Sequence, residues 1–155
     1  MRWRFDAPLD QVWLRLTDPR TFPGWWPGFE SARVDGTGQV GMLSYFRVRG
    51  DFGLRFDLVT RIEEVRHPEY IRLASAGGLA GTRVWRLAHE DGATSVTYVW
   101  DVEPTNRLLR LLSRIPPIRR RMVRSHDGVM EAGGRNLARL LESDAGNPEL
   151  LLTRK

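Results

Sequence analysis

Between Glu30 and Pro104 the chain is cut at short intervals by turn-forming pairs: Asp35-Gly36, Gly50-Asp51, His67-Pro68, Gly77-Gly78 and Asp91-Gly92. Glycine accepts positive φ and proline presets its own φ, so each pair marks a reversal, and the segments between them read as antiparallel hairpin strands. Phe52, Leu54, Phe56 and Leu58 alternate with Gly53, Arg55, Asp57 and Val59. Val96, Tyr98, Trp100 and Val102 alternate in the same way with Thr97, Val99, Asp101 and Glu103. A period of two over such lengths belongs to a sheet with one buried face. Asp91-Gly92 is a strong type I′ signal, and a two-residue turn there sets Glu90 opposite Ala93. Leu87 then faces Val96, Trp85 faces Tyr98 and Arg83 faces Trp100, so the bulky residues of both strands share one side. A slip of one residue would set Leu87 against Ser95 and destroy that agreement.

Helical spacing brackets the strands. After a short opening strand ended by Asp6-Ala7-Pro8, Val12, Trp13 and Leu16 recur at helical intervals over residues 9–16, and Asp18-Pro19 stops them. Residues 21–29 hold too much proline and glycine for a long helix and predict a second helical turn over the mouth of the sheet. Beyond Pro104 an arginine-leucine helix is expected over 106–115, then a long helix over about 118–142. Met122, His126, Val129, Gly133, Leu137 and Leu140 fall within roughly a 100° arc of that long helix, a face that the sheet must cover. One domain over 1–143 with a frayed tail over 144–155 is the expected organisation.

Composition excludes several functions. With no cysteine there is no disulfide, thiolate nucleophile or cysteine zinc site. The early charges Arg2, Arg4 and Asp6 are unlike a signal peptide, and no apolar run reaches the roughly 18 residues of a membrane span, so the expected location is cytoplasmic. A net charge of +5 invites a nucleic-acid partner, but Lys155 is the only lysine and no nucleic-acid-binding signature accompanies the arginines, so none is expected. His67 and His89 fall at hairpin turns and His126 on a distant helix, without metal-ligand spacing, and no phosphate loop or nucleophile elbow is present. Neither a metal nor a cofactor is expected.

The order of elements resembles the START-like superfamily, which includes polyketide cyclase and dehydrase-like proteins. Four stretches carry the resemblance: Ala7-Pro8-Leu9-Asp10-Gln11-Val12-Trp13 with Thr17-Asp18-Pro19; Trp25-Trp26-Pro27-Gly28-Phe29; Gly81-Thr82-Arg83-Val84-Trp85-Arg86-Leu87; and the hairpin from Asp91 to Val102. These motifs describe a fold and carry no chemistry of their own. The resemblance implies an α+β helix-grip architecture, a curved antiparallel β-sheet wrapped around a long C-terminal helix with two short helices after the first strand. It also implies a deep apolar cavity between sheet and helix that takes a lipid, a polyketide or another hydrophobic small molecule. One departure is the short first strand.

Within that frame the candidate ligand-binding residues are Trp26, Phe29, Tyr45 and Phe56, then Arg83, Trp85, Tyr98 and Trp100, with Met122, His126, Val129 and Met130 from the helix. The rings offer area for a planar ligand, although core packing explains them equally well. His126 on the apolar stripe is either a hydrogen-bonded structural histidine or an acid–base group. Arg83 either stacks on Trp100 and offers its fork to a carboxylate or enolate, or snorkels to the rim. Asp57, out of phase with Phe56 and Leu58, belongs on the solvated outer face. If the cavity is catalytic, as in a cyclase or dehydrase working without metal, the candidates are His126, Arg83 and Tyr98, with Arg83 stabilising an enolate. Finally, Arg107, Arg110, Arg114, Arg119, Arg120, Arg121 and Arg124 interleave with leucines and isoleucines and no acidic residue. That stretch is either a lid with solvated arginines or a surface for peripheral contact with an anionic membrane.

Overall fold

The structure is a computed structural model and describes residues 1–50 and 54–145. The strands are β1 (Arg2–Phe5), β2 (Phe29–Asp35), β3 (Leu43–Arg49), β4 (Arg55–Arg66), β5 (Tyr70–Gly77), β6 (Leu79–Glu90) and β7 (Ala93–Pro104). They form one sheet in the order β1-β7-β6-β5-β4-β3-β2 with every neighbouring pair antiparallel. The turn pairs therefore do join hairpins, and only β1 pairs out of sequence, on the free edge of β7. Between β1 and β2 lie α1 (Leu9–Thr17), a 3₁₀ turn (Pro19–Thr21) and α2 (Phe22–Trp25); α3 (Arg107–Leu112) and α4 (Pro116–Ala145) follow β7. This is the α+β helix-grip architecture.

The β6–β7 register is the one that the turn dictates: Glu90 pairs with Ala93, Leu87 with Val96, Trp85 with Tyr98 and Arg83 with Trp100. Asp91 and Gly92 both hold positive φ, 50° and 79°, as a type I′ turn requires. In β4 the expected alternation holds from Phe56 onward, with Leu58, Thr60 and Ile62 buried and Asp57 exposed beside Arg47. Leu54 departs from it. The residue precedes the strand and is exposed, while Asp51, Phe52 and Gly53 lie outside the described residues. A bulge between Ile62 and Glu64 shifts the phase, so Glu63 and Glu64 both face solvent and Val65 returns to the packed side.

The helices differ in how they are held. α1 buries Val12, Trp13 and Leu16, as its spacing demands. α4 starts two residues before the expected position because the N–H groups of a first helical turn have no intrahelical partner, so Pro116 and Pro117 cost nothing there. It runs to Ala145, the last described residue, three beyond the expected end, and there Asp144 is buried and accepts both Arg15 guanidinium hydrogen bonds from α1. The rest of the expected tail lies outside the described residues. The buried residues of α4 are Met130, Gly133, Gly134, Leu137, Leu141 and Asp144. Met122, His126, Val129 and Leu140 from the expected stripe are only half-buried. The stripe shifts because two indoles press on the glycine pair: a Cβ on Gly133 would sit 2.7 Å from the Trp26 ring, and one on Gly134 would sit 2.9 Å from Trp3. No helix among the described residues is long and apolar enough to cross a membrane.

Candidate functional site

The interior of the sheet is dominated by a continuous set of rings. Trp26 packs on Trp3, Phe22, Trp25, Phe29 and Trp85, with ring centroids 5.1–5.9 Å apart. Trp85 in turn stacks on Tyr98 at 4.0 Å. What remains open is a cavity of about 50 Å³. A water molecule takes about 30 Å³ of liquid, and drug-sized ligands occupy pockets of about 300–1,000 Å³, so the deep cavity implied by the resemblance is mostly filled by aromatic side chains. Its position also differs from expectation. The walls come from α1, the 3₁₀ turn, α2 and the inner faces of β2 to β7, and none from α4. The reason is the Gly133–Trp26 contact, which lets an indole occupy the layer between helix and sheet.

Five of the expected ligand-binding residues line this cavity: Trp26, Phe29, Arg83, Trp85 and Tyr98. Arg83 is the one cation among them. It is 9% exposed, makes no ion pair among the described residues, and its Nε is buried without a hydrogen-bond partner. Burial pulls its guanidinium below the ordinary arginine value, with the Tyr98 phenol acting in the opposite sense, yet an arginine stays charged at neutral pH. Burial raises the Tyr98 phenol, so that group is a neutral hydrogen-bond donor there. An isolated buried charge is expensive unless something pairs with it. An oxyanion or carboxylate in this cavity would give Arg83 the partner that no described residue supplies.

The expected Arg83–Trp100 stack does not form, because the face of Trp100 is already taken. His126 lies flat on it, with centroids 3.7 Å apart and planes within 1°. Burial lowers the His126 imidazole, Asp127 opposes this with Nδ1 and Oδ1 3.6 Å apart, and the Arg83 charge lowers it further. His126 is thus near Arg83 electrostatically but is not a wall of the cavity. The remaining α4 candidates, Met122, Val129 and Met130, also lie outside it, as does Phe56, which closes the strand end over Gly50 and Gly78. Tyr45 belongs to the other face. Ser44 and Phe46 take the inward positions of β3, which leaves Tyr45 outside beneath the Arg33 guanidinium, 4.3 Å from its ring centre.

Sequence reasoning missed a polar row. Ser44 pairs with Thr60 and Thr60 with Ser75, on three adjacent strands, and all three are buried. Ser44 and Thr60 line the cavity, and the Ser75 hydroxyl has no hydrogen-bond partner. The signal was present as phase: Ser44 is in step with Phe46, Thr60 with Leu58 and Ile62, and Ser75 with Ile71. Among the described residues no three histidine or acidic side chains converge as metal ligands would.

Comparison with solved structures places the fold among known relatives. Zhui aromatase/cyclase from a Streptomyces species superposes with a TM-score of 0.72 at 15% identity, covering 94% of this chain and 93% of that one. A START superfamily protein from Mycobacterium smegmatis gives 0.72 at 13% identity, over 92% and 95% of the two chains. A conserved protein from Geobacillus kaustophilus gives 0.66 at 14% identity, over 89% and 93%. These likenesses are of fold. No curated protein sequence matches the chain. The family model described as polyketide cyclase / dehydrase and lipid transport matches residues 2–142, nearly the whole helix-grip unit, and the chain belongs to that family.

Proposed function

We propose that the protein holds a small hydrophobic molecule bearing an acidic or oxyanionic oxygen, with that oxygen on Arg83 and its apolar body among the rings. The observation that carries the reading is the buried guanidinium, unpaired among the described residues, in an interior of aromatic and aliphatic side chains crossed by a short row of hydroxyls. Family membership supports a hydrophobic ligand. Apolar burial at about 25 cal/mol per Å² supplies affinity, while Arg83, Tyr98 and the Ser44–Thr60 row orient the oxygens. The cavity of about 50 Å³ is too small as it stands, so binding requires Phe22 on the four-residue α2 and Trp26 just after it to yield. The test is calorimetric titration with 2-naphthoate and its methyl ester, on the wild type and on Arg83→Met. The wild type should prefer the acid by at least about tenfold, worth ~1.4 kcal/mol, and the variant should lose that preference while still binding the ester. Equal binding of acid and ester by the wild type would sink the proposal.

A second reading, a cyclase or dehydrase, is favoured by one observation: the Tyr98 phenol and the Arg83 cation line the same small cavity. An enolate formed there by loss of the α-proton to solvent hydroxide would be stabilised by Arg83 and reprotonated by the Tyr98 phenol, which regains its proton from water. Exchange of α-protons of a diketone for deuterium, followed by NMR, separates the readings. The enzyme exchanges, and Tyr98→Phe abolishes it; a binding protein leaves the background rate unchanged.

A further inference from the structure

From Asn106 to Arg124 the chain carries seven arginines and no acidic residue. All seven arginines are exposed, and no residue from Asn106 to Val129 is buried. Four large apolar side chains in the same stretch face solvent: Leu108 (63% exposed), Leu111 (60%), Val123 (50%) and Ile115 (42%). Leu108 and Leu111 are three residues apart on α3, and Ile115 follows four later through a continuing helical turn, so their spacing puts them along one side. Arg120, Arg121 and Arg124 also border an open depression beside Pro117 and Ser125. The lid reading of this segment required its leucines to cap the interior. Leu108 and Leu111 point away from it.

We infer that the exposed arginine–leucine face of α3 and the first turns of α4 is a docking surface for an anionic lipid bilayer. The chemistry matches both layers of such a surface: arginines meet phosphate and carboxylate headgroups, and aliphatic side chains enter the acyl boundary beneath. Other partners fit less well. A second copy would bring seven further arginines against these with no carboxylate in the segment to receive them. Single-stranded nucleic acid would need rings for base stacking, and the chain has no Phe, Trp or Tyr after Trp100. The inference does not depend on what the interior binds.

The test uses the whole protein and vesicles of phosphatidylcholine with about one-third phosphatidylserine, compared with pure phosphatidylcholine, by co-sedimentation. Binding to the anionic vesicles should exceed that to the neutral ones by at least about tenfold and fall as strongly when salt rises from about 0.1 M to about 0.5 M. Arg119→Glu/Arg120→Glu/Arg124→Glu should lose at least tenfold, and Leu108→Ser/Leu111→Ser at least about threefold at unchanged charge. Because these side chains are exposed, circular dichroism and melting of the variants should match the wild type. Equal binding to neutral vesicles, or binding that survives the triple charge reversal, overturns the inference. So does wild-type affinity of the leucine variant, which would leave a purely electrostatic surface, and so does a solution dimer that masks the segment.

Discussion

The two halves of α4 are built to different specifications. From Met130 to Asp144 the helix is locked: Leu137 is fully buried, Gly133 and Gly134 receive indoles, Asn136 donates to the Trp25 carbonyl at 2.9 Å, and Asp144 receives Arg15. From Pro116 to Val129 no residue is buried, and the one close ring contact among the described residues is His126 on Trp100. A helix of this length needs tertiary packing along only part of its face to persist, since propagation from an anchored half is cheap. The anchored half fixes the aromatic layer. The other half is left to face solvent, and there Arg119, Arg120, Arg121 and Arg124 cluster.

The contrast is tested most strongly by truncating one residue in each half. Leu137→Ala should cost about 2–5 kcal/mol in urea denaturation, whereas Val123→Ala should stay within about 0.5 kcal/mol. Comparable losses would mean that the first half packs as tightly as the second. Next comes Asp144→Asn, which leaves the Arg15 guanidinium without its counter-charge and should cost about 2 kcal/mol. The glycines offer a finer comparison within one helix. A Cβ at Gly133 meets the Trp26 ring, so Gly133→Ala should destabilise by about 1–2 kcal/mol despite alanine's better helix propensity. Gly128 has nothing within 4 Å of its Cβ position, so Gly128→Ala should stabilise by up to about 1 kcal/mol. The same sign at both positions would break the comparison.

The smallest expected effect concerns pH. Burial lowers the His126 imidazole in the folded protein, so the folded state binds its proton less readily than the unfolded chain. Its contribution is therefore complete above the unfolded value of about 6.5 and is lost as pH falls through the lowered folded value. Between about pH 7.5 and about pH 5 the melting temperature of the wild type should drop more than that of His126→Gln, measured calorimetrically. Parallel curves would show that the stacked imidazole titrates as it does in water.

Much of the fold was legible because its information is local. Turn pairs and a period of two gave the hairpins, and the Asp91-Gly92 turn gave the β6–β7 register down to Trp85 on Tyr98. The same alternation placed Asp57 outside, and it contained the phase of Ser44, Thr60 and Ser75, although polar residues at inward positions drew no attention. Tyr45 was misplaced for a related reason, since an aromatic in a strand looks like a core residue until its neighbours Ser44 and Phe46 are seen to own the inner face.

The site was less legible than the sheet. That Arg83 faces inward follows from register alone, but that none of the described residues pairs with it is a statement about distant side chains. The stripe on α4 was read from helical period, and period assigns a face without saying what fills the layer beneath it. There Trp3 and Trp26, one from the first strand and one from the end of α2, meet the helix at adjacent glycines and shut α4 out of the cavity wall. Strand order within hairpins, turn type and helix polarity are set by backbone preferences within a few residues, so the amino-acid sequence by itself determined them. The cavity's size, the lack of a partner for Arg83 among the described residues and the solvent exposure of the arginine–leucine face depend on which distant side chains compete for the same volume, and only close packing in three dimensions decided that.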